Sequence, residues 1–114
     1  MIHELKCATE YFKEVIAGKK SFEVRKNDRP YMVGDMLALN EYDTKEIAYT
    51  GASCVVYVDY ILKGSDYCKD GYIIMSVKPC GVYIHNSPYS QISMKSDYSV
   101  PLATERRGKK SSRT

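Results

Sequence analysis

The run "ASCVVYVDYIL", residues 52–62, is the longest β-branched and aromatic stretch in a chain of 114 residues. Side chains of that kind suit a pleated, half-buried surface, so the run predicts the central strand of a sheet. Shorter strands are expected around it. "HELK" (3–6) alternates and predicts an opening strand. From Lys20 to Lys26 the period is two, with Phe22 and Val24 on one face and Ser21, Glu23 and Arg25 on the other. "NDRPYMVGD" (27–35) is turn-rich, "MLALNEY" (36–42) reads as a third strand and "DTKEIAYTG" (43–51) as a hairpin connection. "GYIIMSV" (71–77) supplies the last strand.

A single helical pattern interrupts this series. Thr9 is placed to cap a helix with Glu10 in its first turn, and Tyr11, Phe12, Val15 and Ile16 recur as one buried face. Gly18 sits where a left-handed residue ends a helix. The expected fold class is therefore α+β, mostly β: a small mixed β-barrel of about five strands with one short N-terminal helix.

The length fits one domain with a modest core, and 44% hydrophobic residues exclude wholesale disorder. No apolar run is long enough to span a bilayer. "MIHELK" shows no secretory signal, which makes the cytoplasm the expected location. Cys7, Cys54, Cys68 and Cys80 form no close pairs, and His3 and His85 are isolated from each other. A structural zinc site needs paired ligands, so reduced, mostly buried thiols are expected, with no metal and no cofactor.

Net charge is +3, but residues 81–114 carry +4 of it, leaving −1 for residues 1–80. Past Pro79 the chain turns serine-rich and ends in the basic run "RRGKKSSR" (106–113). A barrel over 1–80 and a flexible tail over 81–114, with one extra strand near "VYI" (82–84), is the expected division. A barrel so nearly neutral binds polyanions only through a local cluster, whereas the tail is either a general polyanion contact or a solubilising segment.

That cluster is "GKKSFEVRKNDR" (18–29), with five basic residues, one glutamate and one aspartate in twelve positions. Its pattern is Gly18-x-Lys20-x-x-Glu23-x-Arg25, flanked by Lys19, Lys26 and Arg29. Glu23 and Arg25 share a strand face, so the carboxylate can orient the guanidinium and keep its planar fork available to a phosphate or base edge. Lys20 reaches a phosphate as a point charge. Glu23 is counterproductive for phosphate alone but accepts from an exocyclic amine, which points to base recognition. The alternative is a same-face ion pair on a solvated strand, worth under about 1 kcal/mol. Among the eleven tyrosines, Tyr31, just past the motif, is the one singled out for base stacking.

The Gly-x-Lys-x-x-Glu-x-Arg pattern, the helix-then-glycine lead-in and "VGDML" (33–37) resemble the ASCH domains, a branch of the PUA-like superfamily. The chain is most similar to an uncharacterised bacterial and phage-borne ASCH-like group, over about residues 3–78. The resemblance implies a PUA-like barrel with a cleft beside the motif strand, and RNA or a nucleotide as partner. It gives Gly18, Lys20, Glu23 and Arg25 as the centre of the site, with Lys19, Lys26, Arg29 and Tyr31 around them. Some ASCH-like proteins are small amidohydrolases on modified nucleosides, with a base lysine corresponding to Lys20. The hydroxyl they use falls on Glu23, and a further acid from a later strand is also needed, for which Asp59 in "YVDYIL" is the candidate. A binding module with weak or no catalysis is the leading expectation. A small nucleoside hydrolase or a ribonuclease built from Lys20, Glu23 and Arg25 is the alternative, and a scaffold barrel whose basic tail does the binding is the third.

Overall fold

A computed structural model describes residues 1–84 together with 99 and 100, with side chains through residue 80. The serine-rich and basic parts of the expected tail, 85–98 and 101–114, lie outside the described residues. The element order is β1 (Ile2–Ala8), α1 (Thr9–Ile16), β2 (Phe22–Lys26), β3 (Met36–Asp43), β4 (Ala48–Lys63), β5 (Tyr72–Ile84) and the two-residue β6 (Ser99–Val100). They form one mixed sheet in the order β2-β5-β4-β3-β1-β6. The pair β1–β3 is parallel and every other pair is antiparallel. The five long strands curl into a half-barrel, so the mostly-β α+β expectation holds, and β4 is central as its composition predicts.

Alternation decides what fills the concave face. Leu5 and Cys7, Leu37 and Leu39, Cys54, Val56 and Val58, and Ile73, Met75 and Val77 all enter one core, closed by Phe12 from α1. β5 is longer than its sequence signal. It continues beyond Pro79 to pair Ile84 with Ser53, with register shifts near Val55 and Val58 absorbing the extra length. The extra strand expected at 82–84 is this continuation.

The helix differs from expectation at both its cap and its face. Thr9 is its first residue, and its hydroxyl donates to the Tyr42 carbonyl at 3.4 Å rather than capping. Phe12 is 1% exposed, whereas Tyr11 and Ile16 are 52% and 46% exposed. Eight residues resting on β1 and β3 have room to bury one large ring. The C-terminus is a Schellman turn: Gly18 N–H donates to Val15, and Lys19 N–H to Glu14, with Gly18 at φ +78°. That turn delivers Lys19 and Lys20 to the start of β2.

The two faces of β2 are divided as the alternation predicts, and it is the charged one that faces inward. Glu23 is 2% exposed and faces the core with Met75 as its cross-strand partner, while Phe22 and Val24 are 45% and 50% exposed on the other side. Register with β5 puts Glu23 and Arg25 on the same face as the core residues Met75 and Ile73.

Tyr31 and His3 are core residues as well. Tyr31 is 7% exposed and packs on the fully buried His3, ring centroids 4.6 Å apart. His3 Nε2 lies 2.7 Å from Asp35 Oδ2, which also accepts from the Met32 N–H, while Oδ1 takes the Met1 ammonium at 3.0 Å. A second buried polar row, Glu4–Asn40–Ser53, crosses β1, β3 and β4.

Candidate functional site

The sheet does not close among the described residues, and its opening is the site. Met1 accepts from the Met36 N–H, so the alternating Glu4 and Lys6 carbonyls point to the other edge of β1. On β2, Ser21 and Asn27 bond to β5, which turns the Phe22 and Val24 backbone groups toward the same gap. The outer edge of β1 pairs with β6 only at Ile2 and His3, so beyond them the β1 and β2 edges face each other, bridged by side chains in place of a ladder. Arg25 donates to the Lys6 carbonyl at 3.0 Å and Arg29 to the Glu4 carbonyl at 3.4 Å, while Lys20 Nζ stays on its own side of the gap and donates to the Phe22 carbonyl at 2.7 Å.

A cavity of about 780 Å³ occupies this seam. β1 contributes Lys6, Cys7 and Ala8; β2 contributes Phe22 to Arg25; α1 and its Schellman turn contribute Tyr11, Glu14, Lys19 and Lys20. Tyr42 and Thr44, from the end of β3 and the turn after it, complete the wall. Four cations thus meet two carboxylates and three aromatic rings.

Glu23 organises the floor. Its Oε2 accepts from Lys20 Nζ and its Oε1 from Arg25 Nε, each at 3.0 Å. A buried carboxylate is costly unless paired, and here both oxygens meet a cation. The neighbouring Cys7 thiol is pushed up to about 12, by burial first and by the Glu23 charge second. Cys54 is likewise pushed up to about 12, chiefly by burial. These two thiols are protonated at neutral pH and are not nucleophiles. All four cysteines are free.

The expected site residues divide clearly. Lys19, Lys20, Glu23 and Arg25 line the cavity, and Gly18 makes the turn that brings the lysines there. Lys26 is exposed and away from the cavity lining, on the far end of β2. Arg29 is spent on the seam and on the Tyr31 ring, 5.9 Å from its guanidinium carbon. Tyr31 is buried, so the expectation that it stacks on a base is corrected. Asp59 is also misplaced for hydrolysis: it is 46% exposed and pairs with Lys78 at 3.8 Å, outside the cavity lining.

Sequence reasoning passed over Lys6, Tyr11, Phe22 and Tyr42 as cavity residues. One signal was available. Tyr11 and Phe12 are adjacent, and a helix turns about 100° per residue, so one of two large rings must leave a narrow buried face. Tyr42 gave no comparable signal, because its position depends on the parallel pairing of Ala8 with Tyr42.

Among the described residues no group of three or more His, Cys, Asp or Glu is placed to hold a metal ion. No helix there is long and apolar enough to cross a membrane.

Residues 2–77 match the family described as "Domain of unknown function (DUF3850)". The chain is also similar to the "Uncharacterized 12.9 kDa protein in GpA 3'region" of Escherichia phage P2, with 36% identity over 74 residues. The aligned part is 65% of this chain and 65% of the length of that relative.

Proposed function

We propose, for a chain that belongs to the DUF3850 family, that the half-barrel is an ASCH-like, PUA-like module that binds single-stranded RNA or a nucleotide in its open seam, in a cytoplasmic setting. One observation carries this reading: the seam cavity brings Lys6, Lys19, Lys20 and Arg25 together with the rings of Tyr11, Phe22 and Tyr42. Cations that track phosphates beside aromatic platforms for unpaired bases are the combination that single-stranded nucleic acid requires. Glu23 holds Lys20 and Arg25 in place and limits the site to a local, oriented positive charge. Binding is the favoured activity over hydrolysis, because both Glu23 oxygens already accept from cations and Asp59 lies elsewhere.

The test is a fluorescence-polarisation titration of short labelled single-stranded RNAs with the full chain, over a series of salt concentrations. Lys19→Gln with Lys20→Gln should weaken binding by about tenfold and flatten the salt dependence. A second variant neutralises Arg106, Arg107, Lys109, Lys110 and Arg113 and should retain most of the affinity. Binding lost with the basic run and indifferent to the two lysines would transfer the function to that run. Absence of any RNA or nucleotide binding at moderate salt would end the proposal.

A further inference from the structure

The rings of the seam are not bare. The Lys6 ammonium lies 4.3 Å from the Tyr42 ring centroid, a cation–π contact. Tyr42 is itself braced by its cross-strand partner Tyr49, at 5.0 Å between centroids and 75° between planes. Tyr42 is therefore a fixed platform. Lys6, by contrast, is held only loosely: among the described residues its ammonium meets that ring. Lys20 is gripped more firmly, by the Phe22 carbonyl and by Glu23, and Arg25 is committed to Glu23 and the Lys6 carbonyl. Lys6 and Lys19 are thus able to change partner without breaking the floor, and of these Lys6 is the one that covers a ring.

We infer, resting on the nucleotide-binding reading above, that the cleft takes one unpaired nucleotide as a unit: its phosphate draws the Lys6 ammonium off Tyr42, and its base stacks on the ring face so uncovered. A phosphate gives Lys6 a stronger partner than a ring face, since charge-assisted contacts exceed cation–π ones. A base gains the platform only once the ammonium has left. The two halves of the ligand therefore help each other through one side chain. A nucleoside alone must strip Lys6 from Tyr42 with nothing offered in return, and inorganic phosphate alone leaves the ring facing water. A cavity of about 780 Å³ has room for a ligand of this size. A paired base, whose faces are covered by its neighbours in the stack, cannot use the platform.

Calorimetric titration of the full chain tests this with adenosine 5′-monophosphate, uridine 5′-monophosphate, the two nucleosides, inorganic phosphate, phosphotyrosine and a single-stranded RNA decamer. The monophosphates should bind at least about tenfold more tightly than either nucleoside or phosphate. Tyr42→Leu should reduce monophosphate affinity to that of inorganic phosphate, which itself holds or tightens slightly because Lys6 no longer has to leave a ring, while Tyr42→Phe keeps the ring and the affinity. Lys6→Gln should weaken both, and Lys78→Gln, outside the cleft, should weaken neither. Thermal melts of each variant separate loss of binding from loss of fold. Monophosphates binding no better than inorganic phosphate, or indifference to Tyr42→Leu in a folded variant, overturns the inference. Preference for phosphotyrosine overturns it in favour of a peptide ligand. A decamer that binds where monophosphates fail sinks the single-nucleotide inference alone, whereas failure of both sinks the nucleotide-binding reading with it.

Discussion

The Arg25 guanidinium donates to the Lys6 backbone carbonyl at 3.0 Å, joining β2 to β1 across the gap where a closed barrel would have a ladder. The same guanidinium is held from behind by Glu23. The motif strand is therefore tied to the opposite wall of the cleft by one side chain braced within its own strand, which sets the cleft's width. An arginine is suited to this because its planar fork serves two acceptors in fixed directions, which an ammonium on a flexible stem does not.

Arg25→Leu should accordingly destabilise the fold by about 1–2 kcal/mol, since it leaves Glu23 with one cation and the Lys6 carbonyl without its donor. Arg25→Lys should recover only part of that loss. Urea unfolding gives the comparison, and equal midpoints for the wild type and Arg25→Leu would show that the Arg25–Lys6 contact does not hold the two strands together.

Glu23→Gln separates stability from anion binding. With the carboxylate gone, Lys20 and Arg25 face each other across a neutral amide, at a cost of about 2–3 kcal/mol in a site this buried. The cavity also becomes more positive. The variant should therefore melt earlier yet bind inorganic phosphate more tightly, by a factor of about 3–10 from the removed charge. A variant that melts earlier and also binds phosphate more weakly would show that Glu23 positions the cations more than it opposes the anion.

Acid should destabilise the protein through the His3–Asp35 pair. Burial holds His3 below its usual 6.5, against the opposing pull of Asp35. Asp35 lies below its usual 3.8: burial pushes it up, but hydrogen bonds from His3, the Met1 ammonium and the Met32 N–H together outweigh that. Both groups have folded-state values below the unfolded ones, so the unfolded chain binds more protons and stability falls as pH falls. The His3 contribution is complete above 6.5 and is lost as the pH drops through the folded value; that of Asp35 follows below 3.8. Melting temperature should be flat above neutrality and decline from about pH 6.5 downward, and His3→Gln should flatten the first part of the decline. A profile identical in the variant would assign the slope to other groups.

Ile47 adopts φ +53° at the tip of the β3–β4 hairpin while 75% exposed. A β-branched side chain is strained there, and asparagine tolerates the same backbone at less cost. Ile47→Asn should stabilise by about 0.5–1 kcal/mol, a rise of a few degrees in a domain of this size. A lower melting temperature would mean that the isoleucine makes a contact worth more than the strain.

Much of the architecture can be read along the chain. Period-two runs located the strands, the β-branched density of 52–62 located the centre of the sheet, and Gly18 marked the end of the helix, because each is a local preference carried by consecutive residues. The composition of the floor was legible too: Lys20, Glu23 and Arg25 lie within six positions, close enough for any extended backbone to bring them together. What the tertiary structure alone decided is which way β2 faces and what stands opposite it. Alternation defines two faces but not which one is inside, and pairing with β5 turned Glu23 inward and left Phe22 and Val24 half exposed. The cleft's other wall comes from Lys6 and Tyr42, placed by the parallel pairing of β1 with β3 and by an arginine reaching nineteen residues back along the chain. Those are contacts between distant segments, and no local preference encodes them.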